Sequence, residues 1–255
     1  MILCLDVGNT HIYGGVFDND KLILQFRYPT TAASTSDQLG IFFRQVLLEN
    51  NIDITKIKHI SVGSVVPSVD YSIRSAVVKY FNLEPFFLKA GVKTGLKISY
   101  KNPLEVGADR IANAIAAVHQ FPENNIVIVD LGTATTFDIV RKDNNYLGGV
   151  IMPGLKIAMS ALNENTAKLP PVNILKPEKV IGQSTIANIQ SGLYYGHLGA
   201  MMTIIDKISE EAFDKAKPIV IGTGGFSNLF ENEHIFTMVI PELVLHGLRL
   251  AHAKQ

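Results

Sequence analysis

The stretch ILCLDVGNTHIYGGV, from residue 2, returns in altered form 124 residues later as IVIVDLGTATTFDIV, about half of the 255-residue chain further on. In each copy an apolar run ends in an aspartate, a glycine and small polar residues, and a second apolar run follows. Asp6 matches Asp130, Gly8 matches Gly132 and Val16 matches Val140. One repeat at this spacing, with no short solenoid period beneath it, predicts two similar α/β domains. Each opens on a β-meander whose first turn carries an acid and a glycine. No Pro-rich or low-complexity linker marks the join, so the boundary is placed near Pro122–Asn125, giving domains at 1–122 and 123–255.

Periodicity fills in the elements. Ile2–Leu5, Ile12–Phe17 and Leu22–Tyr28 read as three strands joined by short turns. Thr35 and Gln38 form a capping-box pair opening a helix with an apolar stripe of Phe42, Phe43, Val46 and Leu47. HISVGSVV is a strand, Pro67 opens a helix to about Phe81, and PFFLKA is a short strand. A loop ending at SYKNP leads into the helix GADRIANAIAAVHQ. The second half repeats the meander, with YLGGVIMPG as its third strand and Leu155–Asn163 as a helix. A long helix follows from about Thr185 to Ser209. KPIVIGTGGFS is a strand with a Gly-rich turn into a helix, and PELVLHGLRLAHA closes the chain as a helix.

Charge narrows the function. The 23 basic and 23 acidic residues balance, and no basic block stands out, which argues against a nucleic-acid footprint. The single cysteine, Cys4, sits inside the first apolar run and reads as a core residue in a reducing compartment. No signal peptide is visible. Val180–Ile205 contains no Asp, Glu, Lys or Arg, but Gln183, Ser184, Asn188, Gln190 and His197 make it too polar to span a membrane. It reads as a helix buried in protein, and the chain as a cytoplasmic protein without a membrane partner.

A D-x-G turn after a strand is most often plain turn chemistry. Two such turns in equivalent places, with the Gly-rich IGTGGF at 221–226 as a third, point instead to a nucleotide. Glycines let backbone N–H groups approach an anion, a threonine hydroxyl adds a hydrogen bond, and an aspartate beside phosphate makes sense with a metal ion between them. There is no G-x-x-x-x-G-K-[ST] loop, and no G-x-G-x-x-G follows the first strand.

The order DVGNT, DLGTATT, GTGG resembles that of the acetate kinase, sugar kinase, Hsp70 and actin superfamily. Within it, YKNPLEVGADRIANAIAA (100–117), GGVIMPG and QSTIANIQSGLYYG resemble segments of the type III pantothenate kinases. Ile189 stands where that pattern leads one to expect methionine, a swap of similar volume. The resemblance implies two ribonuclease H-like domains in an actin-like ATPase fold, with an ATP cleft between them. It implies that Asp6, Val7, Gly8, Asn9, Thr10, His11, Ile12 and Tyr13 cradle ATP, that Thr133 contacts it, and that Asp6 meets Mg²⁺ directly or through water. Tyr100, Gly107, Ala108, Asp109, Arg110 and Thr185 would bind pantothenate, with Asp109 as the general base. Asp130 would coordinate a monovalent cation, K⁺ or NH₄⁺. Relatives of this kind are homodimers, which makes the 180–205 segment and the C-terminal helix candidate interface elements. The rival reading is a non-catalytic relative acting as a transcriptional accessory factor; the presence of Asp6, Asp109, Arg110 and Asp130 together favours the enzyme. The seven histidines show no ligand spacing and read as structural.

Overall fold

The structure is a computed structural model that describes residues 1–89 and 91–255. Ala90, the last residue of the predicted PFFLKA strand, lies outside the described residues. In chain order the strands of the first third are β1 (Ile2–Val7), β2 (His11–Asp18), β3 (Lys21–Pro29), β4 (His59–Ser64), β5 (Phe86–Leu88) and β6 (Lys97–Ile98). Those that follow are β7 (Ile126–Leu131), β8 (Ala134–Arg141), β9 (Asn145–Pro153), β10 (Ile219–Thr223) and β11 (Met238–Val239). The helices are α1 (Ser36–Glu49), α2 (Pro67–Phe81), α3 (Ala108–Gln120), α4 (Leu155–Glu164), α5 (Thr185–Ala212) and α6 (Leu243–His252). The chain forms two compact units, one of residues 1–96, 100–116 and 243–255 and the other of 97–99 and 117–242.

The first unit is built on a five-stranded sheet ordered β3-β2-β1-β4-β5. β1 runs antiparallel to β2, as the meander predicts, and parallel to β4. Alternation along β1 sorts its side chains onto two faces. Leu3, Leu5 and Val7 enter a core with Leu39, Phe43 and Leu47 of α1 and Val69, Ile73 and Val77 of α2. Thr35 caps α1 in the expected box, its side chain accepting from Gln38 N while the Gln38 side chain accepts from Thr35 N.

The opposite face is paved with small residues. Gly15, Cys4 and Ser61 stand in one row across β2, β1 and β4, and Gly63 lies in the next row beside Asp6. α6 settles directly onto this pavement. Leu245 and Leu248 pack so tightly over Gly15 and Gly63 that a Cβ at either would sit 2.6 and 2.9 Å from a leucine methyl. The Ser61 hydroxyl donates to Leu248 O at 2.9 Å. α3 packs against α6 at Gly247, where a Cβ would fall 1.9 Å from Ala112 O. The sequence reading assigns residues 243–255 to the second domain. Compactness puts them in the first unit, because this glycine-paved sheet face is where the apolar side of α6 is buried.

The second unit repeats the plan. Its sheet is ordered β11-β10-β7-β8-β9-β6, so β7 to β11 follow the strand order of β1 to β5, with β6 added at the β9 edge. Val127, Val129 and Leu131 enter its core just as Leu3, Leu5 and Val7 enter the first. The duplicated strand order makes both units ribonuclease H-like, the arrangement of the actin-like ATPase fold. β6 lies in the predicted loop before SYKNP; its two residues are too few to show a strand period. The turn after β10 leads into a short 3₁₀ segment, Ser227–Glu233.

α5 begins at Thr185, where the sequence reading places it, and runs on to Ala212. It buries one face, including Ile189, Leu193, Tyr194, His197, Met201, Ile205 and Ile208. Gly192, Gly196 and Gly199 look out on open space. No helix among the described residues is long and apolar enough to cross a membrane.

Because the atom facing Gly247 is backbone, it cannot swing aside. Gly247→Ala should therefore lower stability by about 1–3 kcal/mol, the range for overpacking a filled core. A drop in thermal midpoint relative to the parent checks this, and an unchanged midpoint would show that α6 has room to shift.

Candidate active site

The β1–β2 hairpin is a tight one. Gly8 N donates to His11 O at 3.1 Å. Thr30, just past β3, fastens the hairpin from outside: its hydroxyl donates to Gly8 O at 2.7 Å and its N–H to Thr10 O at 3.1 Å. Among Asp6 to Tyr13, Val7 and Ile12 turn their side chains into the core. They can offer a ligand only backbone atoms. Asn9, Thr10 and His11 are exposed at the tip, and Asp6 is half-buried at the end of β1.

The GADR segment lies beside this hairpin within the same unit. Asp6 pairs with Gly63 of β4, and the space a Gly63 Cβ would occupy lies 3.6 Å from the Ala108 Cβ. The N-terminus of α3 thus stands over the carboxyl end of β4, next to that of β1. Ligands of open α/β sheets bind at such strand ends, where the chain order switches direction. Asp109 lies in the first turn of α3, and its Oδ1 accepts from Arg110 N at 2.8 Å. That carboxylate folds back over Gly107, where a Cβ would come 2.4 Å from Asp109 Oδ1. A side chain there would push the Asp109 carboxylate aside. Burial raises the Asp109 pKa above the ordinary carboxylate value, and the Arg110 N–H and guanidinium partly offset this. A carboxyl group with a raised pKa beside strand ends is suited to taking a proton. Arg110 is buried on the same turn, and Tyr100 is half-buried.

In the second unit Asp130 ends β7 as Asp6 ends β1. The turn after it closes with Gly132 N donating to Ala134 O at 3.1 Å. β10 runs parallel beside it, pairing Thr223 with Asp130. The Gly-rich loop then wraps the carboxylate: at Gly224, whose φ is +85°, a Cβ would lie 2.3 Å from Asp130 Oδ1. Phe226 N donates to Leu131 O at 3.2 Å. Thr133 is exposed at the turn tip. Thr185 opens α5 and lines a cavity of about 610 Å³ with Leu162, Leu169, Asn188, Ile189 and Leu193. The structure thus gathers Asp6–Tyr13, Tyr100 and Gly107–Arg110 in the first unit, and Asp130, Thr133, Thr185 and the Gly-rich loop in the second.

Among the described residues no three His, Cys, Asp or Glu side chains converge on a metal position. A lone carboxylate such as Asp6 fits a cation that takes its remaining ligands from phosphate oxygens and water, as Mg²⁺ does. Thr30 went unnoticed in the sequence, because its tie to Gly8 spans 22 residues and depends on the register of the meander. A further trio holds the chain leading to Thr185. Glu233 accepts from Tyr194 on α5 and from Lys176 on the preceding irregular segment, both at 2.5 Å.

Known proteins resemble this chain in sequence and in fold. A family model described as type III pantothenate kinase matches residues 2–207. A type III pantothenate kinase of Legionella pneumophila (strain Corby) is 58% identical over 251 residues, covering 98% of both chains. Type III pantothenate kinase 1 of Francisella tularensis subsp. holarctica (strain OSU18) is 48% identical over 250 residues, again covering 98% of both. Among solved structures, a conserved Baf family protein from Campylobacter jejuni superposes with a TM-score of 0.61 at 18% identity, over 98% of this chain and 97% of that one. An activator of 2-hydroxyisocaproyl-CoA dehydratase from Clostridium difficile, with ADPNP bound, gives 0.50 at 11% identity over 98% and 92%.

Gly224→Ala would force a side chain into a left-handed backbone and onto the Asp130 carboxylate. A loss of about 1–3 kcal/mol is expected, read as a lowered denaturation midpoint; a midpoint equal to the parent's would show that the loop relaxes freely.

Proposed function

This chain belongs to the type III pantothenate kinase family, and from that premise we propose how its residues move a phosphoryl group from ATP to pantothenate. The reaction makes ADP and 4′-phosphopantothenate and opens coenzyme A biosynthesis. The observation that carries the assignment of roles is the placement of Asp109 beside the hairpin that begins at Asp6. The relatives at 48–58% identity are named as kinases, so the accessory-factor reading is not favoured.

The primary hydroxyl oxygen of pantothenate attacks the γ-phosphorus of ATP, the bond to the β–γ bridging oxygen breaks, and Asp109 accepts the hydroxyl proton. Phosphoryl transfer depends mainly on alignment and charge stabilisation, so a carboxylate is base enough. Arg110 and Tyr100 hold the anionic substrate from the same segment, and Thr185 supplies a further hydroxyl. Backbone N–H groups of the Gly8–His11 hairpin receive the phosphates, and Thr133 makes a second nucleotide contact. Mg²⁺, bound with ATP, supplies positive charge to the phosphates, and Asp6 holds it directly or through water. The monovalent cation, K⁺ or NH₄⁺, is assigned to Asp130, whose carboxylate is enclosed by the Gly-rich loop. The proposed assembly is a homodimer in the cytoplasm. The outward glycines of α5 support the dimer, since among the described residues no atom lies within 4 Å of a Cβ placed at Gly196 or Gly199.

The test is ADP release coupled to pantothenate, with and without K⁺ or NH₄⁺; no pantothenate-dependent turnover under any cation would sink the kinase reading. Asp109→Asn should cut kcat by about 10²–10⁴-fold, the share of a general base, while ATP still binds. Burial raises the Asp109 pKa, so the base is lost as pH falls through that raised value. The parent's kcat/KM should therefore fall at a pH above the ordinary carboxylate range, and the variant should lack this limb. The same raised pKa means that folding stability from this group is present at low pH and lost as pH rises and it ionises. Asp109→Asn should accordingly keep or raise the thermal midpoint at neutral pH. Asp130→Ala should blunt the response to K⁺, and an activation curve like the parent's would remove Asp130 as the cation ligand.

A further inference from the structure

Arg27 on β3 is a cation whose guanidinium, among the described residues, meets only an aromatic ring. Asp6 pairs with Tyr13, and Tyr13 pairs with Arg27, so the three stand in one row across β1, β2 and β3. Residues directly opposed across antiparallel strands share a face, with Cα atoms about 4.5–5.5 Å apart at each step. The Arg27 Cα therefore stands about 10 Å from that of Asp6, a gap that a long arginine side chain largely covers. The guanidinium carbon lies 4.1 Å from the centroid of the Tyr13 ring, which is part of that gap. The ring is itself fixed, since Tyr13 OH donates to Gln25 Oε1 at 2.7 Å. Arg27 is exposed, and among the described residues its guanidinium has no carboxylate or hydrogen-bond partner.

Two comparisons within the molecule separate a ligand-facing cation from a structural one. The second unit repeats the row as Asp130, Thr136 and Ile151. The place of Arg27 is taken there by an isoleucine that is 64% exposed. The shared architecture therefore does not need a cation in that place. Second, the hairpin from Asp6 to Tyr13 contains a carboxylate and no lysine or arginine. A triphosphate seated there adds more negative charge to a row whose one fixed cation is Arg27, and charge developing on a transferring phosphoryl group is stabilised by such a positioned donor.

We infer that Arg27 is a phosphate-binding residue that swings from the Tyr13 ring to the terminal phosphate of a bound nucleoside triphosphate. The inference rests on the kinase reading, since that reading puts the triphosphate at Asp6. Because the contact is to the terminal phosphate, it separates triphosphate from diphosphate.

The test is titration calorimetry of the full chain with the Mg²⁺ complexes of the non-hydrolysable analogue ADPNP and of ADP, without pantothenate. One charge-assisted bond fewer should weaken ADPNP about ten- to hundredfold in Arg27→Gln, with ADP affinity nearly unchanged. Arg27→Lys should recover part of the loss, because it keeps the charge without the fork. In turnover assays the glutamine variant should raise the KM for ATP and leave the KM for pantothenate in place. Equal weakening of both nucleotides, or of neither, overturns the assignment while leaving the kinase reading standing. A parent protein that binds both nucleotides but turns over no pantothenate removes the kinase reading and leaves the Arg27 assignment to the two affinities. A parent that binds neither nucleotide removes both.

Discussion

The contact between α6 and the small-residue row of the first sheet sets the rest of the site. Gly15, Cys4 and Ser61 leave little side chain between sheet and helix, so α6 lies close to the strands. α3 then meets α6 backbone to backbone at Gly247 and Ala112, and its first residue, Ala108, stands against Gly63. Gly63 is the strand neighbour of Asp6. The position of Asp109 next to the Asp6 hairpin thus follows from a chain of close contacts, of which the backbone approach at Gly247 admits no side chain. Interiors packed to this density transmit displacement instead of absorbing it.

The two aspartates next to the ends of β1 and β7 show how one scaffold sets the same group in different surroundings. The sheet delivers a half-buried carboxylate to the same place in both units. What surrounds it differs. Asp6 shares its row with an aromatic ring and a guanidinium, whereas Asp130 shares its row with a threonine and an isoleucine and is enclosed by the loop at Gly224.

Much of this was legible in the sequence, for identifiable reasons. The repeat carried the two-unit plan and its paired meanders because each copy keeps the apolar run, the acid and the glycine in step, and the Thr35–Gln38 box located the start of α1 because that signal is local. The GADR segment marked the first turn of α3. Features that depend on distant packing were not legible. The apolar stripe of α6 says that the helix is buried, but not against which sheet, and the tie from Thr30 to the hairpin exists only once the meander has its register. The missing charge in 180–205 reads as burial, whereas the outward side of α5 is uncharged because it carries glycines together with the exposed Ile186 and Met202. Absence of charge permits burial without requiring it.

The return of the last helix to the first sheet also has a bearing on how the chain acquires its structure during synthesis. A ribosome releases residues in order, and domains fold as their sequence becomes available. The second unit is complete once residue 242 has emerged, whereas the first, although it starts the chain, still lacks residues 243–255. Until they arrive, the face bearing Gly15, Cys4 and Ser61 has no helix to cover it. The earlier-made unit is therefore the later to close, and the Asp6 hairpin and the Asp109 turn reach their final spacing only after residues 243–255 have emerged.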